Sequence, residues 1–491
     1  MTATGLGEKP PEVTGIGPSS RTAFIQLLLR TGALRVITFA GSIVLARLLL
    51  PADYGIFAVV IFLVGILVPI GDLGLGAALI QKREQPTETE VATMFTAQQL
   101  VWLGLVVLVW ILAPLINQVG LEMPPDADWM LRVTAIAIFI AHQQAVPNAM
   151  MSRILRFGPL ATIEVVQQIV YLAVALILAF NGAGAWSFVI GLLAQYSVGT
   201  VLTYVAWGRL PGLGIDRSAL RRMLGFGVVF QLTYFTSLLR EALIPLFGGL
   251  AGGITAIGYL QFGQRLGRMV GGIDEIVARV SFPAFSRIQD DPARTARALV
   301  FVVESTALAV ALLWWPIASG PTLIPVLFGE NWAPAVPVFQ LTALASLLGP
   351  PFLYLRNVGF AAGRAQALLR WSTLTAAVTF VVFPLLVVWL GLVGGGIGFV
   401  FYAVVQIIGC AIATRDVARL PWMRLFRIYL LGFVAGIAAA AVLIYVTGFI
   451  GLIVSGLVFG AVYGLLVLVF ERAQLRRAWV LVRTGTAAEP I

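Results

Sequence analysis

The stretch Tyr259-Leu-Gln-Phe-Gly-Gln-Arg-Leu-Gly-Arg-Met-Val-Gly-Gly-Ile-Asp-Glu-Ile-Val-Ala-Arg279 has two faces when wound as a helix. Leu266, Met269, Val270, Ile273, Ile276 and Val277 recur at three- and four-residue steps and make an apolar stripe. Gln261, Gln264, Arg265, Arg268, Gly272, Glu275 and Arg279 make a polar stripe opposite. In a soluble protein this pattern describes an ordinary surface helix. The surroundings decide otherwise: 60% of the 491 residues are hydrophobic, only 11% are charged, and the mean hydropathy is +0.97. A globular domain carries about 25% charged residues, so the chain is predicted to be an all-α, polytopic membrane protein. An arginine in the middle of a membrane helix costs roughly 3 kcal/mol on insertion scales, and such residues face a wet cavity or a partner. The stretch is therefore expected to line a cationic chamber inside a transporter.

Fourteen apolar runs are long enough to cross a bilayer: 22–46, 54–80, 91–116, 129–152, 159–180, 185–207, 219–247, 254–278, 298–319, 335–355, 368–390, 394–414, 428–447 and 450–470. Most of the 32 basic residues fall in alternate loops, as in Lys82 and Arg83, Arg153 and Arg156, Arg209 to Arg222, Arg356 to Arg370, and Arg415 to Arg427. The positive-inside rule places those loops and both termini in the cytoplasm. Met1 to Ser20 is Pro/Gly/Ser-rich, shows no cleavage site, and is expected to be a disordered cytoplasmic tail.

The two halves resemble each other. Trp129 and Trp332, Pro147 and Pro350, and Gly55 and Gly258 are each separated by 203 positions, and Asp72 and Asp274 by 202. Repeats of six helices enter from the same side, so they are parallel copies. The expected organisation is a tail over 1–20, six-helix lobes over 21–210 and 211–417, two appended helices over 418–471, and a cytoplasmic tail over 472–491. The last helix carries Gly456, Gly460 and Gly464 at four-residue spacing, a close-packing pattern.

Catalysis finds little support. The single histidine, His142, and the single cysteine, Cys410, are far apart in sequence and found neither a metal site nor a nucleophilic pair. No phosphate-binding loop surrounds Lys9 or Lys82, and no loop has room for a soluble catalytic domain. No cofactor or metal is expected. His142 reads as a hydrogen-bonded residue within the bundle. Arg240 beside Glu241 reads as a local ion pair.

The remaining arginines suggest the cargo. Guanidinium groups hold phosphate oxygens through charge-assisted, often bidentate bonds. Arg30, Arg35, Arg265 and Arg268 are the candidate substrate-binding residues, suited to a diphosphate. Gln98, Gln99, Gln143, Gln144, Gln167, Gln168 and Gln195 suit either a sugar or helix-to-helix hydrogen bonds. Asp72, Glu164, Asp274, Glu275 and Glu304 are the candidates for coupling or gating. Glu164 and Glu304 are the ones suited to titration, since a carboxylate buried in a bundle can have its pKa raised.

Four segments resemble the bacterial polysaccharide flippases of the multidrug/oligosaccharidyl-lipid/polysaccharide exporter superfamily. They are Leu45-Ala-Arg-Leu-Leu-Leu-Pro-Ala-Asp-Tyr-Gly-Ile-Phe57, Asp72-Leu-Gly-Leu-Gly-Ala-Ala-Leu-Ile-Gln81, Phe282-Pro-Ala-Phe-Ser-Arg-Ile-Gln-Asp-Asp291 and Leu327-Phe-Gly-Glu-Asn-Trp-Ala-Pro-Ala335. The resemblance implies two six-helix bundles around a central cavity, often with two extra helices. It implies movement of a polyprenyl-diphosphate-linked oligosaccharide across the bacterial inner membrane by alternating access, feeding O-antigen, capsule or exopolysaccharide assembly. The resemblance also implies a membrane polymerase and a chain-length regulator as partners, and no nucleic acid. The competing readings are a cation-coupled multidrug exporter and a peptidoglycan-precursor flippase of the same superfamily. Helix 1 contains arginines and no acid, which argues against the drug exporter. A glycosyl-lipid enzyme would show a long external loop, which this sequence lacks.

Overall fold

The computed structural model describes residues 36–76, 79, 84–118, 120–154, 156–270, 292–417 and 420–476. Among the described residues there is no β-strand, and nine helices are long and apolar enough to cross a membrane. The chain divides into two compact units at Pro245/Leu246.

The first unit contains α1 (Val36–Leu48), α2 (Pro51–Gly65), α3 (Val68–Asp72), α4 (Glu88–Leu112), α5 (Ala127–His142), α6 (Ala145–Arg153), α7 (Phe157–Phe180), α8 (Trp186–Trp207) and most of α9 (Arg217–Phe247). The start of α2 explains the first of the four segments. Pro51 opens the helix, where its missing N–H costs nothing. The Asp53 carboxylate accepts the Leu50 amide at 2.8 Å and lies against Gly184 in the α7–α8 turn. Gly184 has φ +53°, and a Cβ there would come within 2.8 Å of Asp53 Oδ1. Tyr54 and Phe57 close the joint on Phe188, with ring centroids 4.8 and 4.9 Å away.

The second unit contains α10 (Gly253–Val270), α11 (Pro292–Val310), α12 (Trp314–Phe328), α13 (Val336–Ser346), α14 (Gly349–Ala361), α15 (Ala365–Ala413), α16 (Trp422–Tyr445) and α17 (Gly448–Phe470). At 49 residues, α15 would be far longer than a bilayer is thick. It folds back at Gly391, whose φ of 57° and ψ of −133° are open to glycine alone. Gly398 packs on Phe383 and Gly409 on Trp371, the pairing of an antiparallel hairpin. Helix α17 is bonded to the rest of this unit through Tyr463, whose hydroxyl donates to the Leu308 carbonyl at 2.7 Å, and through Ser455, whose Oγ accepts from the Trp315 indole at 3.2 Å. Gly456 faces Trp315 at 3.5 Å, while nothing lies within 4 Å of a Cβ at Gly460 or Gly464.

Proline shapes several of these helices in one way. A proline in a helix cannot donate to the carbonyl four residues earlier, and a bilayer offers no water to replace that bond. The Gln143 carbonyl, four before Pro147, accepts from the Tyr204 hydroxyl at 2.9 Å. The Leu347 carbonyl, four before Pro351, accepts from the Tyr429 hydroxyl at 2.6 Å. The Ile317 carbonyl, four before Pro321, accepts from Gln340 Nε2 at 2.8 Å. The breaks at Gln143–Gln144 and Leu347–Leu348 carry the same tightened bonds, amide 143 to carbonyl 140 and 144 to 141, then 347 to 344 and 348 to 345, all 3.1 Å. These two breaks stand 204 positions apart, in step with the internal repeat. The tryptophans of the repeat have diverged: Trp129 is 52% exposed, while Trp332 is fully buried.

Candidate functional site

Helix α10 presents Arg265 and Arg268 on an exposed face. Its opposite face is fixed by two glycines. A Cβ at Gly263 would meet Val338 Cβ at 2.8 Å, and one at Gly267 would meet Thr342 Cβ at 2.7 Å. The helices α10 and α13 therefore approach closely along Gly263 and Gly267, a small-residue seam of the kind that packs membrane helices. At 100° per residue, Arg265 and Arg268 lie well away from that seam, with Gln261 between them. Phe262 adds a lateral support, stacking on Trp332 with centroids 3.9 Å apart and meeting Phe328 edge-on at 5.0 Å. Both partners belong to the fourth of the segments quoted above. Arg265 and Arg268 are thus held away from the core of their own unit, whereas Gln264, placed on the same stripe by its spacing, is buried, and Gly272, Glu275 and Arg279 lie outside the described residues. Arg30, Arg35, Asp274 and Glu275 lie outside the described residues.

The other candidates occupy different surroundings. Asp72 ends α3, where Leu73 (φ 54°) and Gly74 (φ 68°) turn left-handed and break the helix. Gln98 of α4 donates to both the Asp72 carbonyl and its Oδ1, at 3.0 and 3.2 Å. One turn along α4, Trp102 fills the space beside Gly71 and lies over the His142 ring, 4.1 Å between centroids. His142 Nδ1 bonds the Ile138 carbonyl at 2.9 Å, so the histidine is held within the bundle. Glu164 is exposed on α7. Glu304 of α11 is buried, and its carboxylate lies 3.4 Å from the Arg424 guanidinium of α16. Arg240 pairs with Glu241 at 3.1 Å.

The glutamines link helices. Gln143 Nε2 donates to Gln99 Oε1 at 2.6 Å, Gln167 Nε2 to Gln144 Oε1 at 2.9 Å, and Gln144 Nε2 to Thr200 Oγ1 at 3.2 Å. Gly199 leaves the space that the Gln167 amide fills. This chain ties α4, α5–α6, α7 and α8 across the interior of the first unit. Sequence reasoning missed the Gly263/Gly267 seam, although its four-residue spacing was a usable signal.

Two arginines thus stand on an exposed helix face in an all-helical, strongly apolar chain, the make-up of a polytopic membrane protein. The chain belongs to the polysaccharide biosynthesis protein family, whose model matches residues 44–337. It is 27% identical over 372 residues to the succinoglycan biosynthesis transport protein ExoT of Rhizobium meliloti, covering 72% of this chain and 71% of that one. It is 27% identical over 380 residues to the lipopolysaccharide biosynthesis protein WzxC of Escherichia coli, covering 74% of each. Among solved structures it is similar in fold to the lipid II flippase MurJ in an inward closed conformation, with TM-score 0.78 and 13% identity, over 92% of this chain and all of that one. An inward-facing multidrug resistance transporter of the MATE family matches at TM-score 0.54 and 15% identity, over 80% of this chain and 95% of that one.

Proposed function

We propose that this protein is a flippase that carries polyprenyl-diphosphate-linked oligosaccharide units across the cytoplasmic membrane by alternating access, for O-antigen, capsule or exopolysaccharide synthesis. The observation that carries this proposal is membership in the polysaccharide biosynthesis family together with similarity to ExoT and WzxC over about three quarters of the chain. The likeness to MurJ and to the MATE transporter concerns fold alone and does not favour peptidoglycan precursors or drugs as cargo.

The diphosphate would be held by Arg35, Arg265 and Arg268, with Arg30 nearer the cytoplasmic mouth. The close seam at Gly263 and Gly267 supports this role, because it fixes the helix face from which the two arginines project. The sugar would occupy the chamber and the lipid tail would stay in the membrane. Asp72, Glu164, Asp274, Glu275 and Glu304 remain the coupling and gating candidates. The contact of Glu304 with Arg424 supports a gating role for this carboxylate. Fourteen spans in two parallel six-helix repeats plus two helices, an inner-membrane location, cytoplasmic termini, and service alongside a polymerase and chain-length regulator complete the proposal.

Deleting the gene is expected to make lipid-linked repeat units accumulate on the cytoplasmic leaflet. Unchanged lipid intermediates and normal polysaccharide in the deletion strain would reject the flippase. For the site, Arg265→Ala with Arg268→Ala is expected to abolish polysaccharide output at normal protein level; normal output would remove these arginines from the diphosphate site.

A further inference from the structure

Between the second arm of α15 and the start of α16 lies an open cavity of about 290 Å³, lined by Ile407, Ile408, Ala411, Ile412, Arg415 and Trp422. Its wall is a run of aliphatic side chains on one helix face, at spacings of one, three and four residues. Its mouth carries one cation and one indole. Ile408, Ile412 and Trp422 are exposed. No described segment covers them.

The charge at the mouth is unbalanced. Arg415 Nε lies 3.6 Å from Asp416 Oδ1, and the same carboxylate serves Arg364 at 3.5 Å. One acid thus faces two guanidinium groups, and an excess positive charge stays where the aliphatic wall ends. Trp422, the first residue of α16, is an indole of the kind that marks the headgroup level of a bilayer.

From this juxtaposition we infer a binding site for an anionic phospholipid of the surrounding membrane. One acyl chain lies along Ile407, Ile408, Ala411 and Ile412, and the phosphate meets the Arg415 guanidinium beside Trp422. The volume is at the lower end of small-molecule pockets, roughly 300 Å³, so it takes part of one chain and leaves the rest of the lipid in the bilayer. A guanidinium selects a phosphate that keeps its net negative charge, so phosphatidylglycerol is favoured over phosphatidylcholine. The inference is independent of the flippase proposal, because it concerns lipid retention and not cargo.

The test is native mass spectrometry of the full chain released from nanodiscs holding equal phosphatidylglycerol and phosphatidylcholine. Wild-type protein is expected to retain phosphatidylglycerol preferentially. Arg415→Gln is expected to lower that retention roughly fivefold, the usual effect of one juxtamembrane cation. Ala411→Phe, which fills the groove without touching the charge, is expected to lower it as well. Arg476→Gln, which removes an exposed arginine outside the groove, leaves it unchanged. Should Arg415→Gln fail to fold, Ala411→Phe carries the test. Equal retention of the two lipids by wild type, undiminished retention in the groove variants, an equal loss in all three variants, or displacement by millimolar inorganic phosphate would each overturn the assignment.

Discussion

The Tyr204 hydroxyl donates to the Gln143 carbonyl at 2.9 Å, which is the bond that Pro147 denies to α5. Tyr204→Phe leaves that carbonyl without the donor in a medium that offers no substitute. The expected loss is about 1 kcal/mol, in line with interhelical bonds measured in membrane proteins. Thermal unfolding in detergent checks it. In a Pro147→Ala background the penalty should shrink, because an amide at 147 can then serve Gln143. An equal penalty in both backgrounds would show that the proline is not what creates the need.

The α10–α13 seam tolerates no side chain. A Cβ at Gly267 would also lie 2.9 Å from the backbone nitrogen of Ala343, and backbone cannot give way as a flexible side chain does. Gly267→Ala is expected to cost about 1–3 kcal/mol, the range for overpacking a core, and Gly267→Ile more. Arg265→Ala, on the opposite face, should leave the melting temperature nearly unchanged while reducing polysaccharide output. Loss of stability in Arg265→Ala comparable to that in Gly267→Ala would mean that the arginine is structural.

Glu304 and Arg424 join α11 to α16. The carboxylate side chain is 6% exposed and the guanidinium 61%, so removing the arginine leaves a buried charge while removing the acid leaves a solvated one. Arg424→Ala should therefore destabilise more than Glu304→Gln. A double-mutant cycle is expected to give a coupling on the order of 1 kcal/mol, and a coupling of zero would deny the pair any energetic role.

Asp216 caps α9. Its Oδ1 accepts from the Ser218 hydroxyl at 2.6 Å and from the Ala219 and Ser218 amides at 3.0 and 2.7 Å. These bonds, the Ser218 hydroxyl foremost, hold its pKa below the ordinary carboxylate value, with Arg222 adding a small pull in the same direction. A depressed pKa stabilises the fold above the ordinary value and ceases to do so as pH falls through the folded value. Asp216→Ala should thus be less stable than wild type at neutral pH, and the gap should narrow as the pH drops below about 4. A gap that stays constant from pH 7 to pH 3 would contradict this account.

How much of this was legible in the sequence depends on the kind of force involved. Apolar length set the helices, and the reversal of α15 at Gly391 falls in the gap between the runs 368–390 and 394–414. The apolar run 298–319 stops short of the end of the helix, which contains Pro321 and Pro325. The helix continues to Phe328 because Gln340 satisfies the Ile317 carbonyl and because Ile324 and Phe328 are buried. That partner comes from another helix, and no local pattern announces it. The period of α10 separates buried Leu266 from exposed Arg265 and Arg268 but misplaces Gln264, which is buried, and the glycines that aim those faces gain meaning only against Val338 and Thr342. The glutamines offered two uses, sugar or neighbour. The hydrogen bonds choose the neighbour for Gln98, Gln99, Gln143, Gln144 and Gln167.

The last membrane helix ends at Phe470, but its fastening continues past it. Glu471 accepts from Arg427 Nε at 2.8 Å, and Gln474 Nε2 donates to Ser305 Oγ at 3.0 Å. Anyone trimming the chain for expression, or appending a fluorescent reporter, should therefore cut no earlier than Gln474. A version stopped at the hydrophobic boundary would keep every apolar turn and still lose the clasp that holds its final helix in place.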